Sequence, residues 1–334
     1  MRSYPKGADM SAPRLQTKVF SLSNDRHAVP VIALFNLIFF QGYAILIHTC
    51  VNVYPNRKDV NRIMPFLMDC HCHSDSSPDS KTPVSEHCEQ ALALNISTLC
   101  ITDHCEANVY TEEGYDKTIR RSLSQTREAQ TAFKNLEILT GMELGQPMQG
   151  VAHTNHALEE NPCDFVLGSL HNVAGRPDFY FLDLHKENIP ELLNTYFSEL
   201  LDMIRWGRFD SLAHLTYPWR YLAAAGLSVP FSDYKEQLDE ILQALVRQNI
   251  ALEINTSGLR QDMRQAMPSG ELVNRYVSLG GRLITIGSDA HRAEDLGKGL
   301  LEAVHMVRMT GLEEITVYRK REPYGVNIEK GNQL

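Results

Sequence analysis

Histidines and carboxylates that suit metal binding are spread along this sequence. DCHCHS, at residues 69–74, places two histidines two positions apart. Similar side chains come later, each after a short apolar run: His104, Glu143, His171, His214, Asp289 and His291. Neutral imidazoles and carboxylates suit zinc, manganese or iron, and a catalytic zinc takes three protein ligands. The set therefore predicts a site for two or more metal ions, which is typical equipment for attacking a phosphoester.

The elements that must position these side chains are seven short apolar runs, which predict strands. They lie near residues 66–72, 98–102, 137–141, 164–168, 211–214, 250–255 and 282–287. Amphipathic stretches between them, such as IPELLNTYFSELLDMIRW and YKEQLDEILQALVRQ, predict helices, and Thr82 and Ser269 are candidate N-caps. This alternation indicates a parallel α/β fold, either an open doubly wound sheet or a closed (β/α) barrel.

The position of the polar residues favours the barrel. The first strand is not followed by a GxGxxG or Walker loop, which disfavours a nucleotide-binding open sheet. Six of the seven predicted strands end on an imidazole or a carboxylate. In (β/α) barrels the loops after the strands converge on one face, which carries the active site. We therefore expect these residues to form one site.

Strand geometry separates the residues of DCHCHS. Successive side chains of a strand point to opposite faces, so Asp69, His71 and His73 share one face and Cys70 and Cys72 share the other. We interpret the cysteines as small apolar packing residues behind the site. Asp69, one step deeper, is expected to orient the ligands rather than bind metal.

Composition limits the partners and the compartment. The formal charge of −9 and a pI near 5.8 argue against binding to the phosphate backbone of nucleic acid, which requires a basic surface. A small anionic ligand at a local positive site is still allowed. The seven cysteines are scattered without a C-x-x-C pair, which favours a reducing, cytoplasmic location over a disulfide framework.

Residues 1–67 form a predicted extension before the catalytic domain. Its apolar stretch, residues 28–50, has the length of a transmembrane helix but contains proline, glycine and polar residues. Three interpretations stay open: Met68 is the true start and the extension comes from an upstream start, the stretch is a membrane anchor, or the extension is ordered. The predicted domains are therefore 1–67 and 68–334.

The motifs together resemble the PHP (polymerase and histidinol phosphatase) superfamily over about residues 68–308. They are H-x-H in DCHCHS, SPD, ITDH, GMELG, GSLH, AHL and GSDAH. The resemblance implies a distorted seven-stranded (β/α) barrel, similar to a TIM barrel, with a cluster of three divalent metal ions. Zinc, manganese and iron all suit it. Glu143 is the implied bridging carboxylate. The implied ligands are His71, His73, Asp79, His104, Glu143, His171, His214, Asp289 and His291.

Three longer stretches resemble the histidinol-phosphatase branch of that superfamily: FDSLAHLTYPWRY, ALEINTSGLR and PSGELVNRYVSLGGRLITIGSDAH. The resemblance implies hydrolysis of L-histidinol phosphate to L-histidinol and phosphate, in L-histidine biosynthesis. One alternative is a PHP phosphoesterase that acts on nucleotides or another small phosphate ester. Another is a non-catalytic PHP module of a larger assembly, which the short chain after the barrel disfavours. Oligomeric state is not indicated.

Several residues are candidates for roles around the metals. Arg260 follows the sixth strand and is predicted to clamp the substrate phosphate, with Arg220, Arg176 and Arg292 as rivals. His291 with Asp289, or alternatively a metal-bound water, is predicted to supply a proton to the leaving oxygen. Glu253 is interpreted as structural. The remaining histidines are interpreted as surface or core residues: His87, His153, His156, His185 and His305.

Overall fold

The first part of the chain contains three antiparallel strands. A computed structural model describes residues 66–329 and, before them, only β1 (Thr17–Val19), β2 (Ala33–Phe40) and β3 (Tyr43–Cys50). The strands pair in the order β1-β2-β3, and the β2–β3 register runs from Ala33 opposite Cys50 to Phe40 opposite Tyr43.

These strands bear on the interpretation of residues 28–50. A single transmembrane helix there does not agree with β2 and β3, whose β-branched and aromatic residues favour strands. Within the described residues, no helix has the length and apolar character needed to cross a bilayer. Residues 28–32 and 41–42 of the stretch lie outside the described residues. Contacts divide the chain into Met1–Arg62 and Ile63–Leu334, and the predicted boundary after residue 67 stays a prediction.

The second unit is built on a parallel sheet. Its strands pair in the order β11-β10-β9-β8-β7-β5-β4, and β6 pairs with the far end of β7. The strands are β4 (Met68–Asp69), β5 (Thr98–Ile101), β6 (His104–Glu106), β7 (Glu137–Gly145), β8 (Phe165–Ser169), β9 (Ser211–Leu212), β10 (Ala251–Asn255) and β11 (Ile284–Gly287).

The sheet curves into a nearly closed barrel. Two backbone hydrogen bonds lie just after the end of β4. Cys70 N donates to Ile286 O at 2.9 Å, and His73 N donates to Ala290 O at 2.9 Å. These bonds join the first and last strands, so the barrel alternative is confirmed and the open sheet is wrong. The carboxyl ends of all seven parallel strands consequently meet at one face.

Helices connect the strands and cover the barrel. They are α1 (Val84–Ala93), α2 (Tyr115–Ala132), α3 (Val151–Glu160), α4 (Ile189–Trp206), α5 (Tyr217–Ala224), α6 (Lys235–Gln248), α7 (Gly270–Ser278) and α8 (Leu300–Met309). Helix α4 has the bounds that its apolar spacing predicts. Its Asn188 cap accepts from Glu191 N, and Gly207, with φ of 69°, ends it.

The predicted caps are partly wrong. The N-cap of α1 is Pro83 rather than Thr82, whose hydroxyl instead donates to His291 O at 3.4 Å. Ser269 does occupy the N-cap of α7, but its hydroxyl forms no capping hydrogen bond. The Thr82 hydroxyl, predicted to cap α1, therefore contacts the loop that contains His291 instead.

A C-terminal hairpin, which the sequence pattern did not reveal, follows α8. Its strands β12 (Glu314–Arg319) and β13 (Glu322–Asn327) pair antiparallel. The Thr316 hydroxyl accepts from Ile284 N, at the amino end of β11, at 3.1 Å. The hairpin thus lies at the bottom of the barrel, opposite the face where the strands end.

Ion pairs hold the hairpin to the amino ends of the strands. Arg319 pairs with both oxygens of Glu137, at 2.6 and 2.9 Å, at the start of β7. Arg321 Nε lies 2.5 Å from Oδ2 of Asp210, which is buried just before β9. Asp210 also accepts from Val166 N, so this one carboxylate joins the hairpin to two strands.

Candidate metal centre

The structure brings all nine predicted ligands together at the carboxyl ends of the strands. Their donor atoms fall into three groups. In the first group, the Nε2 atoms of His71 and His73 lie 3.1 Å apart. Both lie 3.4 to 3.7 Å from Glu143 Oε2 and Asp289 Oδ1. Four donors therefore surround one point.

The second and third groups have three donors each. Glu143 Oε1 lies 3.1 Å from His171 Nε2 and 2.9 Å from His214 Nε2, and the two imidazole nitrogens are 3.4 Å apart. Asp79 Oδ2 lies 3.0 Å from His291 Nε2 and 3.6 Å from His104 Nε2. Glu143 gives one oxygen to the first group and the other to the second, which is the bridging geometry that the resemblance implies.

The donor atoms fit divalent metal ions. Four ligands at about 2.0–2.1 Å from one ion stand about 3.3 Å apart on the corners of a tetrahedron, close to the spacings within the three groups. The Nε2 atoms of His71 and His73 face each other, and two lone pairs cannot form a hydrogen bond with one another. A metal cation between them can bind both lone pairs. Among the described residues, no lysine or arginine forms an ion pair with Asp79, Glu143 or Asp289.

The electrostatics of the cluster agree with this fit. Burial opposes ionisation of Glu143, but the imidazoles of His171, His71 and His104 outweigh it and hold the pKa of that carboxyl well below its usual range. Burial, followed by the charges of His291 and His104, lowers the pKa of His73 to about 3. The Glu143 carboxylate and the His73 imidazole are thus both in the deprotonated form that binds metal.

Residues behind the first group fix the imidazole orientations. Glu253 Oε1 lies 2.7 Å from His71 Nδ1, and its Oε2 accepts from His214 N at 2.8 Å. A Cβ at position 287 would lie 2.2 Å from His71 Cβ and 2.7 Å from Glu253 Oε1, so only glycine fits there. Glu253, interpreted as structural from sequence, therefore holds His71 Nε2 toward the cluster.

The loop after the first strand is held by a second buried carboxylate. Asp103 accepts from Ser74 N and from the Ser77 hydroxyl, each at 2.6 Å. The Ser77 oxygen in turn lies 3.2 Å from His73 Nδ1. This chain of hydrogen bonds turns His73 Nε2 toward the other donor atoms of the first group. Asp69 has a related role, because it accepts from Ser288 N at 2.8 Å, next to Asp289.

Backbone conformation aims two of the ligands. Asp289 has φ of 54° and His214 has φ of 24°. Non-glycine residues seldom adopt positive φ, and such residues cluster at functional sites. At both positions the chain turns sharply just after a strand, which directs the side chain back over the barrel mouth.

Glu106 belongs to the centre although it was not predicted. Its Oε1 lies 3.1 Å from His104 Nδ1 and 3.2 Å from His171 Nδ1, and its Oε2 accepts from Gln146 Nε2 at 2.5 Å. It follows His104 by two residues in β6 and therefore shares its face. The same alternation that separates the cysteines from the histidines of DCHCHS could have identified it.

The cysteines of DCHCHS lie outside the cluster. Cys70 and Cys72 are buried in the apolar core, and the Cys72 thiol donates to Cys100 O at 3.3 Å. Burial raises the pKa of both thiols well above their usual range. They pack behind the histidines, as the alternation predicts, and His87 is likewise a core residue that contacts His73 O at 2.9 Å.

The centre opens into a cavity of about 810 Å³. Arg220 and Arg176 line it, but Arg260 does not. The Arg260 guanidinium instead donates to Ser288 O at 2.8 Å, so its predicted contact with substrate phosphate is not supported. Arg292, exposed and paired with Glu294, is also not among the lining residues.

The two arginines of the cavity differ. Arg176 forms an ion pair with Glu187. The guanidinium of Arg220 lies 5.4 Å from the centre of the Tyr221 ring and, within the described part of the chain, forms neither a hydrogen bond nor an ion pair. Arg220 therefore brings to the cavity a positive charge that no ion pair neutralises, although the Asp289 and Asp178 carboxylates attract it through space.

Comparison with known proteins gives the family. A model of the PHP domain matches residues 69–257, which is more than half of the chain. This chain belongs to the PHP domain family. The family predicted from the motifs is confirmed, and the matched segment contains every predicted ligand except Asp289 and His291.

Several curated relatives of this PHP protein are named histidinol-phosphatases. A probable histidinol-phosphatase of Clostridium acetobutylicum is 28% identical over 263 residues, which cover 78% of this chain and 100% of the relative. The histidinol-phosphatase of Lactococcus lactis subsp. lactis is 26% identical over 269 residues, covering 80% and 97%. A probable histidinol-phosphatase of Thermotoga maritima is 29% identical over 259 residues, covering 76% and 97%.

Solved structures confirm the PHP barrel. The crystal structure of histidinol phosphate phosphatase from Lactococcus lactis subsp. lactis, complexed with zinc, L-histidinol and phosphate, matches with a TM-score of 0.66. The two proteins are 24% identical, and the match covers 77% of this chain and 98% of that chain.

Proposed function

We propose that this PHP protein is a metal-dependent phosphatase that hydrolyses L-histidinol phosphate to L-histidinol and phosphate, a step of L-histidine biosynthesis. The observation that carries the proposal is the convergence of three groups of ligand atoms on one cavity that also holds the free guanidinium of Arg220. The names of the curated relatives support the substrate.

The three groups of donors would hold up to three divalent ions, with zinc, manganese and iron all suited to the donor set. When bound, such ions supply a nucleophile at neutral pH and neutralise charge on the phosphoryl oxygens. Glu143 joins two of the groups, while Glu253 and Glu106 keep the imidazoles in place. The protein thus provides a fixed arrangement of donors behind an open cavity.

Arg220 is the proposed phosphate-binding residue. Its guanidinium is always charged and can donate two parallel hydrogen bonds to phosphate oxygens. Arg176, which forms an ion pair with Glu187, is expected to contribute less to phosphate binding. Because Arg220 has no carboxylate partner in the described chain, binding of phosphate there breaks no existing ion pair.

Asp289 and His291 are the proposed route for a proton to the leaving alkoxide. His291 Nδ1 lies 3.2 Å from the main-chain oxygen of Asp289, and Nε2 faces Asp79, so one ring nitrogen can bind metal while the other carries a proton. The His291 side chain is 26% exposed, the most of any imidazole in the cluster. Arg260, through the Ser288 carbonyl, is proposed only to position this loop.

We also propose that the enzyme acts in the reducing cytoplasm. The six cysteines within residues 66–329 are all unpaired, and five of them are buried. Such a chain does not depend on an oxidising compartment for its fold.

A phosphate-release assay tests the function. Purified protein, loaded separately with zinc, manganese or iron, is compared on L-histidinol phosphate, a nucleoside monophosphate and phenyl phosphate. We expect the highest kcat/KM for L-histidinol phosphate. Turnover no better than on phenyl phosphate would contradict the substrate, and better turnover of the nucleotide would favour the alternative PHP phosphoesterase.

A further inference from the structure

Asp178 stands apart from the other acidic residues of the cavity. Five carboxylates line the cavity in the described structure, and four of them contact imidazoles of the metal centre. Asp178 is the fifth. Its Oδ1 accepts from Tyr180 N at 2.7 Å, which caps the short 3₁₀ helix Phe179–Phe181. No positively charged side chain in the described part of the chain forms an ion pair with it, and only the longer-range attraction of the Arg220 guanidinium acts on its charge.

Tyr217 fixes the distance between Asp178 and the metal ligands. Its ring packs 4.9 Å from the ring centres of both His171 and His214. Its hydroxyl lies 3.2 and 3.3 Å from the two oxygens of Asp178 and 2.8 Å from the Tyr221 hydroxyl. A single tyrosine therefore separates the carboxylate from the ligand histidines.

Aromatic side chains surround this carboxylate. Tyr180 and Phe181 are 68% and 72% exposed, although both are large, and both line the cavity. The Tyr180 ring lies 6.2 Å from that of Tyr221. A carboxylate beside aromatic faces is a favourable environment for a cationic nitrogen, because the ring faces carry negative electrostatic potential.

We propose that Asp178, with the aromatic side chains around it, binds a cationic nitrogen in the alcohol part of the substrate and so selects cationic phosphate esters over neutral ones. This inference rests on the proposed function. Within the same cavity Arg220 attracts the phosphate and Asp178 attracts the opposite charge. In L-histidinol phosphate the amine and the imidazole are the two nitrogen groups that can take this place.

The test measures selectivity rather than activity alone. Asp178→Asn keeps an oxygen that can cap the 3₁₀ helix but removes the charge. For this variant and the wild type, kcat/KM is measured for L-histidinol phosphate, O-phosphoethanolamine and phenyl phosphate. We expect the ratio of L-histidinol phosphate to phenyl phosphate to fall by about 10- to 100-fold, the effect of losing a charged hydrogen bond.

The third substrate distinguishes the two nitrogens. If the ratio of O-phosphoethanolamine to phenyl phosphate falls equally, the amine is the partner of Asp178. If that ratio stays constant while the L-histidinol phosphate ratio falls, the imidazole is the partner. If the variant leaves both ratios unchanged, the proposal is overturned, because a purely structural role would lower all three rates together.

A matched control is Asp183→Asn. Asp183 lies in the same loop, outside the cavity lining, and is 53% exposed and paired with Lys186. The Asp183→Asn substitution also removes one negative charge, and we expect both kcat/KM ratios to stay at their wild-type values. If Asp178→Asn does not fold, Asp178→Ser, whose hydroxyl can still cap the 3₁₀ helix, replaces it. If the wild type does not prefer L-histidinol phosphate to phenyl phosphate, the proposed function is contradicted. The effect of Asp178→Asn on the ratio of O-phosphoethanolamine to phenyl phosphate still tests the role of Asp178.

Discussion

Glu253 Oε1 lies 2.7 Å from His71 Nδ1, and the two residues are 182 positions apart in the chain. The carboxylate accepts a hydrogen bond from Nδ1–H. The lone pair of Nε2 then points toward the other donor atoms of the first group. The same carboxylate receives His214 N, at the second group. One buried residue of β10 therefore orients the ligands of two groups.

Replacing Glu253 with glutamine tests this orientation. The glutamine amide is uncharged and has only one acceptor oxygen, so it cannot accept hydrogen bonds from both His71 and His214 as the carboxylate does. We therefore expect Glu253→Gln to lower metal affinity by about 10- to 100-fold. Metal content after dialysis against a zinc buffer measures the effect. Glu271→Gln, on the exposed first turn of α7, is the control. Metal content equal to that of the control would contradict the role.

Glu106 supports a separate prediction. Its carboxylate contacts the Nδ1 atoms of His104 and His171, which belong to different donor groups. We expect Glu106→Gln to weaken binding of more than one ion, so that metal titration shows fewer bound equivalents than wild type. Isothermal titration with zinc gives the number of sites. Glu113→Gln, exposed and nearby in sequence, is the control, and a full complement of sites in Glu106→Gln would exclude the role.

Protons and metal ions should compete at the centre. Burial opposes the charge on His171, but Glu106 and Glu143 outweigh burial and raise the pKa of His171 to about 10. At pH 8 the metal-free site therefore carries protons that a metal must displace, and lowering the pH favours the protonated, metal-free form. We expect chelation to abolish activity, and zinc added back to release protons and to bind more weakly at pH 6 than at pH 8.

Calorimetry in two buffers of different ionisation enthalpy measures that release. If the binding enthalpy is the same in both buffers, no protons are displaced and the expected competition is absent. Activity restored by zinc, manganese or iron is recorded in the same experiment, which identifies the metal that the donor set uses best.

The C-terminal hairpin gives a prediction about stability. Arg321→Ala leaves the buried Asp210 carboxylate without its charged partner, so we expect a loss of about 1–3 kcal/mol in the free energy of unfolding. Arg319→Ala breaks a pair whose side chains are 26% and 30% exposed, and it should cost less. Urea unfolding of both variants measures the difference, and an equal loss would show that burial of Asp210 is not decisive.

Local sequence patterns predicted much of this protein. Period-two alternation placed His71 and His73 on the metal side and Cys70 and Cys72 on the core side, because that geometry depends only on neighbouring residues. The same reasoning, applied to β6, would have found Glu106. Helix α4 agreed with its predicted bounds because its apolar spacing, cap and terminal glycine all indicate the same segment.

Other features depend on contacts between distant segments. The role of Glu253 follows from its closeness to His71, which no local pattern reveals. Arg260 does follow the sixth strand as predicted, but its long side chain turns to the carbonyl of Ser288, and the sequence does not encode that direction. The hairpin was missed because its strands pair with each other at the barrel bottom, outside the alternation of strands and helices.

The position of that hairpin has a consequence for biosynthesis of the chain. Every barrel strand precedes it in sequence, so a ribosome makes all of them before the segment that neutralises Asp210 and Glu137. Until that segment is made, the carboxylates of Asp210 and Glu137 lack their arginine partners. The fold is therefore complete only after β12 and β13 have been made. A chain that ends before Glu314 lacks the hairpin at the bottom of the barrel.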